Sequence, residues 1–283
     1  MNALLAHPQL LADFIAQHAV PLCLGTLGVA FALATAGHTT ARRLWPAGAR
    51  TRVQIATTGA ICLLCALLLF SAIASAVSAD GRLVRLDHAL AAAMAAHQSA
   101  GTLGVFARLT HFGDTVVLTA LCIAGAAALL AGRERLLAAA LVAAIGGNSL
   151  LNHSLKAMFE RVRPLHEHGQ SWETSWSFPS GHSSGTLVAY GMAAWILMQL
   201  LPARWHLPVL LSAVAIALVT ALSRIVLHVH YASDVMAGFA SGSAWLALCI
   251  TIAALFRRRS TRTCNHPASE MPEGTAVHKE QQS

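Results

Sequence analysis

Charged side chains are scarce in this sequence. Of its 283 residues, 11% are Asp, Glu, Lys or Arg and 56% are hydrophobic, whereas soluble domains carry about 25% charged residues. This scarcity argues against a water-soluble enzyme and against a disordered chain. The net charge is +7, but the basic residues are dispersed between apolar runs, and a nucleic-acid partner would require a dense basic patch. The composition indicates an integral membrane protein.

Lysine and paired cysteines are also scarce. The two lysines are Lys156 and Lys279, and the six cysteines include one CxxC pair, Cys62 and Cys65. No second pair follows, and the surrounding stretch is wholly apolar, where cysteine behaves as a small hydrophobic residue. The pair therefore predicts neither a zinc site nor a redox site.

Seven apolar runs have, or approach, the length of about 20 residues that a helix needs to cross a bilayer. They cover residues 20–37, 54–78, 115–131, 136–153, 184–201, 208–227 and 235–256. The third run is short, and the fourth contains Gly146, Gly147 and Asn148. The sequence predicts an all-α polytopic transmembrane helix bundle, with an amphipathic surface helix over 84–98.

The arginines predict the orientation of this bundle. The first run has a signal-peptide alternative, but no basic residue precedes it and Arg42-Arg43 follow it, as in a retained helix. With seven spans, the connections that carry most of the arginines all fall on one side of the membrane. The charge rule makes that side the cytoplasm, which predicts the N-terminus outside and the C-terminus in the cytoplasm. These arginines are Arg42, Arg43, Arg50, Arg52, Arg133, Arg135, Arg204, Arg257, Arg258 and Arg259.

Three polar clusters fall on the outer face in this topology, where the charge rule predicts few cations. They are Lys156 with Arg163-Pro164, then Pro179-Ser180-Gly181-His182, and then Ser223-Arg224 with His230 and Asp234. Lys156, Arg163 and Arg224 are isolated cations near a low-dielectric boundary, and an anionic ligand would offset that cost. The arginine fork suits phosphate oxygens. Arginines that only anchor helix ends at the interface are the alternative.

The second and third clusters add a phosphate seat and two histidines. Ser180 predicts a helix cap that leaves the N–H groups of 180–182 pointing outward, and Gly181 lets an anion approach the backbone. On a helix, His230 and Asp234 share a face, so the carboxylate holds the imidazole as a nucleophile or base. His182 is a candidate proton donor. A metal site at His228, His230 and Asp234 is the alternative, which the three cations disfavour.

At these residues the sequence resembles the type 2 phosphatidic acid phosphatases, the PAP2 superfamily. The signature of that family is KxxxxxxRP, PSGH and SRxxxxxHxxxD, and the chain matches every fixed position. The resemblance implies a six-helix membrane domain over 54–256. It leaves an N-terminal segment over 1–53 that contains an extra span and a cytoplasmic loop, and a disordered cytoplasmic tail over 257–283.

The resemblance also implies roles for the site residues, with no metal or other cofactor. His230 would attack phosphorus to form a phosphohistidine, Asp234 would support it, and His182 would protonate the leaving group. The phosphoryl oxygens would be held by Lys156, Arg163, Ser180, Gly181 and Arg224.

The expected function is hydrolysis of a membrane lipid phosphate at the extracytoplasmic face, with a bacterial inner membrane and a periplasm-facing site as the expected location. The substrates considered are undecaprenyl pyrophosphate, phosphatidic acid and phosphatidylglycerol phosphate. The segment 165–178, rich in Trp, His and Glu, is a candidate lining for the mouth of the site, with anchoring at the membrane interface by its tryptophans as the alternative. A phosphotransferase with the same intermediate is the alternative, followed by a non-catalytic lipid-phosphate binder or transporter. The oligomeric state stays open.

Overall fold

The computed structural model describes residues 8–44, 51–79, 81–164 and 175–264, with side chains described up to Arg257. Helices account for nearly all of the described chain, and two short 3-10 turns, Thr110–Gly113 and Ala203–Trp205, join some of them. The α-helices are α1 Pro8–Gln17, α2 Ala19–Leu44, α3 Arg52–Ser78, α4 Arg82–His97, α5 Ala100–Leu109, α6 Thr115–Ala131, α7 Arg135–Phe159, α8 Gly181–Leu200, α9 His206–Val226 and α10 Ala232–Cys264. The predicted all-α bundle is confirmed.

The predicted spans coincide with helices, and six helical segments of the described chain are long and apolar enough to cross a membrane. The short third run becomes part of a longer segment, Ala100–Ala131, because α5 and a 3-10 turn precede α6. The predicted span at 184–201 corresponds to α8, which is not among the six. Its polar residues Ser183, Ser184 and Thr186 are buried by neighbouring helices, so α8 needs less apolar surface than a lipid-facing helix.

Helix α7 is continuous through its glycines and asparagine. Gly147 leaves room for the ring of Trp245 on α10, because an added Cβ would lie 2.2 Å from Cζ2 of that ring. The indole N–H of Trp245 donates to the carbonyl of Ala144 at 2.9 Å. Asn148 and Asn152 are buried and donate to the hydroxyl of Ser184 on α8, each at 3.4 Å. The two asparagines of α7 therefore have hydrogen-bond partners inside the bundle.

Two glycines bring α10 into backbone contact with α8. An added Cβ at Gly238 would lie 2.6 Å from the carbonyl oxygen of Ser180, and one at Gly242 would lie 3.1 Å from Cα of Ser184. This spacing of small residues permits close helix approach in membranes. The contact places the start of α8, with the second cluster, beside the start of α10, with Asp234.

Two N-terminal features flank this core. Helix α2, the predicted extra span, packs against α9. Helix α1 packs against the surface helix α4, which matches the amphipathic helix predicted over 84–98, through a small apolar cluster that includes Ala12, Ala16, Leu90 and Met94.

The predicted start of a disordered tail at residue 257 is wrong, because α10 continues to Cys264. Extending an existing helix costs little, since each added residue gains a hydrogen bond, and the basic residues Arg257–Arg259 lie near its C-terminal end, where cations favour the helix dipole. The rest of the predicted tail, and residues 165–174 of the predicted mouth, lie outside the described residues.

Candidate active site

The three predicted clusters meet at one end of the bundle. Arg163, from the segment after α7, donates through Nη1 to the carbonyl of Val229 at 2.7 Å. The same Nη1 lies 3.0 Å from Nε2 of His230. Lys156 donates to the hydroxyl of Ser175 at 3.0 Å, and Nε of Arg163 donates to the carbonyl of Ser175 at 2.7 Å. Lys156 and Arg163 therefore meet at Ser175, and Arg163 also contacts His230.

His230 lies in the turn before α10, and the expectation of one helix for His230 and Asp234 is wrong. His228 has a φ of 54°, which ends α9, and the N–H groups of Val229 and His230 then donate to the carbonyl of Arg224 at 3.1 and 3.2 Å. Helix α10 begins at Ala232, so Asp234 occupies its first turn. The turn still brings Nδ1 of His230 to 3.4 Å from Oδ2 of Asp234.

Asp234 is fully buried and is held by several donors. The backbone N–H of Tyr231 donates to Oδ2 at 2.9 Å, and the hydroxyl of Ser177 donates to the same oxygen. Arg161 donates to Oδ1 at 2.6 Å. These contacts fix the carboxylate in place, and it in turn favours the His230 tautomer with a proton on Nδ1. Nε2, which faces Arg163, then carries the lone pair.

Arg161 joins the region around His230 to the surface helix α4. Its Nη2 lies 2.9 Å from Oδ2 of Asp87, and its guanidinium stacks 4.3 Å above the ring of Tyr231. The N–H of Ser233 donates to Oδ1 of Asp87 at 3.1 Å. Burial alone would lower the pKa of Arg161, but the neighbouring Asp234 and Asp87 carboxylates raise it above its ordinary value, so the side chain stays charged.

Sequence reasoning gives Asp87, Arg161 and Ser177 no role. In the sequence, Arg161 is one more cation on the outer face, between Lys156 and Arg163 in the first cluster but not at a fixed position of the signature. A signal for Asp87 exists, because it lies within the apolar stripe of α4 formed by Val84 and Leu90 at helical spacing. A carboxylate in a buried stripe requires a partner.

His182 lies on the other flank of the site. Its Nε2 is 3.1 Å from Oδ1 of Asp114, whose Oδ2 is 2.7 Å from Nδ1 of His111. Gly113 packs so tightly that an added Cβ would lie 2.6 Å from Cδ2 of His182. Asp114 precedes the predicted third span and is also missed by sequence reasoning, because no spacing rule connects it to residue 182.

Arg224 is buried beside the 3-10 turn Thr110–Gly113, whose Gly113 packs against His182. Nη1 of Arg224 donates to the hydroxyl of Thr110 at 3.0 Å. The 3-10 turn therefore positions both Arg224, a predicted phosphate ligand, and His182, the predicted proton donor. Among the described residues, no three His, Cys, Asp or Glu side chains are grouped as metal ligands, so the alternative site at His228, His230 and Asp234 has no support from the geometry.

The predicted helix cap is present, with one difference. The hydroxyl of Ser180 accepts from the N–H of Ser183 at 3.4 Å. The N–H of Ser180, however, donates to the carbonyl of Asp234 at 3.0 Å, so it does not point outward for an anion as predicted. It instead connects α8 to α10. At Gly181 an added Cβ would lie 3.0 Å from Oδ1 of Asn152, which explains the absence of a side chain there.

Comparisons with known proteins identify the family of this chain. Residues 137–258, which contain all three clusters, match the PAP2 superfamily. Over 145 residues the chain is 33% identical to phosphatidylglycerophosphatase B of Bacillus subtilis, and the match covers 49% of this chain and 68% of that protein. The chain belongs to the PAP2 superfamily.

A solved structure of the superfamily has a similar fold. It is a transmembrane PAP2-type phosphatidylglycerolphosphate phosphatase from Bacillus subtilis, 27% identical in sequence, with a TM-score of 0.62 over 73% of this chain and 98% of that chain. The predicted resemblance is confirmed, and the protein is an integral membrane member of the PAP2 superfamily. Asp87 and Asp114 precede the region that matches the family, so the family signature could not have identified them.

Proposed function

We propose that this PAP2 protein hydrolyses a lipid phosphate through a phosphohistidine at the extracytoplasmic face of the membrane. The observation that carries the proposal is the placement of His230 between Asp234 on Nδ1 and Arg163 on Nε2. This is the arrangement that a nitrogen nucleophile needs beside a bound phosphate.

The reaction proceeds in two displacements. Nε2 of His230 attacks phosphorus, an N–P bond forms, and the P–O bond to the lipid alcohol or lipid phosphate breaks while His182 donates a proton to the leaving oxygen. Water then gives a proton to His182 and attacks phosphorus, and the N–P bond breaks to release phosphate. Lys156, Arg163 and Arg224 neutralise the phosphoryl oxygens, with the N–H of Gly181 at the start of α8 completing their seat. Ser180 caps this helix through the N–H of Ser183.

The outer location rests on the arginine distribution of the sequence, which leaves the clusters opposite the arginine-rich connections. The lipid phosphates proposed as substrates are phosphatidylglycerol phosphate, phosphatidic acid and undecaprenyl pyrophosphate. The name of the Bacillus subtilis relative favours phosphatidylglycerol phosphate. The proposed location is a bacterial inner membrane with the site facing the periplasm, which is compatible with these three substrates.

Phosphate release by the purified protein in detergent with EDTA tests the proposal, with the three lipids as substrates. His230→Ala should lower release by at least about 10⁴-fold. His153→Ala, which alters an exposed histidine of α7, should leave it unchanged. Substantial turnover by His230→Ala would contradict the nucleophile assignment, and a strict metal requirement would contradict metal-independent chemistry.

The same experiment separates hydrolysis from transfer. A phosphotransferase would form the same phosphohistidine and pass the phosphoryl group to a second lipid. Labelled phosphate that appears in an added acceptor lipid, and not as inorganic phosphate, would favour the transferase.

A further inference from the structure

Ser175 lies between the two cations of the first cluster. Its hydroxyl accepts a hydrogen bond from Nζ of Lys156 at 3.0 Å and another from Nη2 of Arg163 at 3.2 Å. Both cations occupy fixed positions of the family signature, whereas Ser175 precedes the PSGH motif, which begins at Pro179. The hydroxyl oxygen of a residue outside the signature therefore lies where two of the proposed phosphate ligands converge.

Backbone contacts hold Ser175 in this position. Its carbonyl accepts from Nε of Arg163 at 2.7 Å. Two residues further along the chain, the N–H of Ser177 donates to the carbonyl of Arg161 at 2.8 Å, and the hydroxyl of Ser177 donates to the buried carboxylate of Asp234. Because the chain is fixed on both sides of the hydroxyl, little conformational freedom is lost when a ligand binds to it.

One guanidinium connects Ser175 to His230. Nη1 of Arg163 lies 3.0 Å from Nε2 of His230, whereas Nη2 donates to the hydroxyl of Ser175. The two nitrogens belong to the same planar group, so the hydroxyl and Nε2 lie against neighbouring atoms of one rigid fork. A phosphoryl group positioned for attack by His230 therefore has its oxygens beside Ser175.

The O–H of Ser175 is the part of the hydroxyl that can bind an anion. A serine hydroxyl has two lone pairs and one proton, and Lys156 and Arg163 use the lone pairs. Two cationic donors also polarise the hydroxyl, which strengthens the hydrogen bond that its proton makes to an anion. Ser175 is exposed, so a ligand that enters the site can reach this proton.

We propose that Ser175 donates a hydrogen bond to a phosphoryl oxygen of the substrate and so adds a neutral ligand to the cations that hold the phosphate. This inference rests on the proposed function and adds a binding residue that the family signature does not contain. A hydroxyl that instead competed with phosphate for Lys156 and Arg163 would have the opposite effect on affinity, so the sign of the effect decides between the two roles.

Removing the hydroxyl measures that sign. Ser175→Ala, in the full-length protein in detergent, should raise the Kd for inorganic phosphate by about tenfold, because a charge-assisted hydrogen bond is lost. A phosphorus NMR titration measures this Kd. In the same variant, kcat/KM for dioleoyl phosphatidic acid should fall by a similar factor. A lower or an unchanged Kd in Ser175→Ala would overturn the proposal.

Two further variants serve as controls for the loss of the hydroxyl. Ser175→Thr keeps the hydroxyl, so the Kd for phosphate should stay within about twofold of that of the unaltered protein. Ser154→Ala removes the hydroxyl of an exposed serine on α7, which donates to the carbonyl of Leu150 at 3.0 Å. It should change neither the Kd nor kcat/KM. A Kd in Ser175→Thr as high as in Ser175→Ala would contradict a role for the hydroxyl itself.

A negative charge at the same position tests its location. Ser175→Asp places a carboxylate between Lys156 and Arg163, where it pairs with both cations and repels phosphate, so the Kd should rise by at least about 100-fold. Ser175→Asn has nearly the same size without the charge, and its Kd should be at least about tenfold lower than that of Ser175→Asp. Equal Kd values in the two variants would show that Ser175 does not contact the bound phosphate.

The binding measurement distinguishes this inference from the function on which it rests, because phosphate binding requires no turnover. Absence of phosphate release from every lipid by the unaltered protein would overturn the proposed function, and a raised Kd in Ser175→Ala would still support a phosphate ligand at Ser175. Normal lipid hydrolysis together with an unchanged Kd in Ser175→Ala would overturn this inference alone.

Discussion

The two histidines of the candidate site are held in different ways. The side chain of His230 is 1% exposed, and it lies among Asp234, Ser177 and Arg163. The side chain of His182 is 15% exposed and contacts Asp114, whose own side chain is 38% exposed. A nucleophile benefits from a fixed direction of attack, whereas a group that exchanges protons with water needs access to it. The difference in burial matches the two proposed roles.

The largest effect should come from breaking the support of His230. Asp234→Asn keeps the shape of the side chain but removes the charge that holds the proton on Nδ1, so kcat should fall by about 10³- to 10⁴-fold. KM should change little, because the phosphate ligands remain. Steady-state kinetics on phosphatidic acid measures both constants, and a change confined to KM would contradict the role given to Asp234.

Removing His182 should have a smaller effect that depends on the leaving group. His182→Ala should lower lipid phosphate hydrolysis by about 10²- to 10³-fold. With p-nitrophenyl phosphate the leaving group needs no proton, so the first step should survive and a burst of p-nitrophenol should precede slow turnover. Rapid-quench measurement detects this burst. Equal losses in the first step for both substrates would show that His182 is not the acid.

Displacing His182 without removing it sharpens the comparison further. In Gly113→Ala the new methyl would overlap the His182 ring and Cγ2 of Thr220, at 2.6 and 2.7 Å. We expect kcat to fall by about 10²-fold, because small misplacements of a reacting group are costly. Gly104→Ala is the matched control, since nothing lies within 4 Å of its added Cβ. Similar kinetics in the two variants would show that Gly113 does not position the histidine.

The smallest of these losses should come from Asp87, a positioning residue that acts on His230 through Arg161 and Asp234. Asp87→Asn keeps the side-chain size and weakens the ion pair with Arg161, so kcat should fall about tenfold while KM stays constant. Arg85→Gln, on the exposed face of α4, alters charge without touching the site and should have no effect. Equal kcat values for the two variants would show that Asp87 does not position His230.

Much of the molecule is predictable from sequence, because apolar length and arginine placement are local signals. Charge and hydropathy alone are enough to bring Lys156, Arg163 and His230 to the same face of the membrane. The partners Asp87 and Asp114 are not predictable in this way, since they become neighbours of the site only through tertiary packing. The turn at His228 also escapes prediction, because residue spacing does not reveal that a helix ends where a histidine adopts a positive φ.

The backbone contact between α8 and α10 has a consequence for the surrounding bilayer. Because Gly238 and Gly242 rest directly against α8, backbone dimensions set the spacing of these helices, and compressible side chains do not. Lipid-facing helices tilt when bilayer thickness changes, but the direct backbone contact prevents α8 and α10 from moving relative to each other. We expect kcat for p-nitrophenyl phosphate to be equal in vesicles of short-chain and long-chain phosphatidylcholine. A marked difference in kcat would show that bilayer thickness alters the geometry of the site.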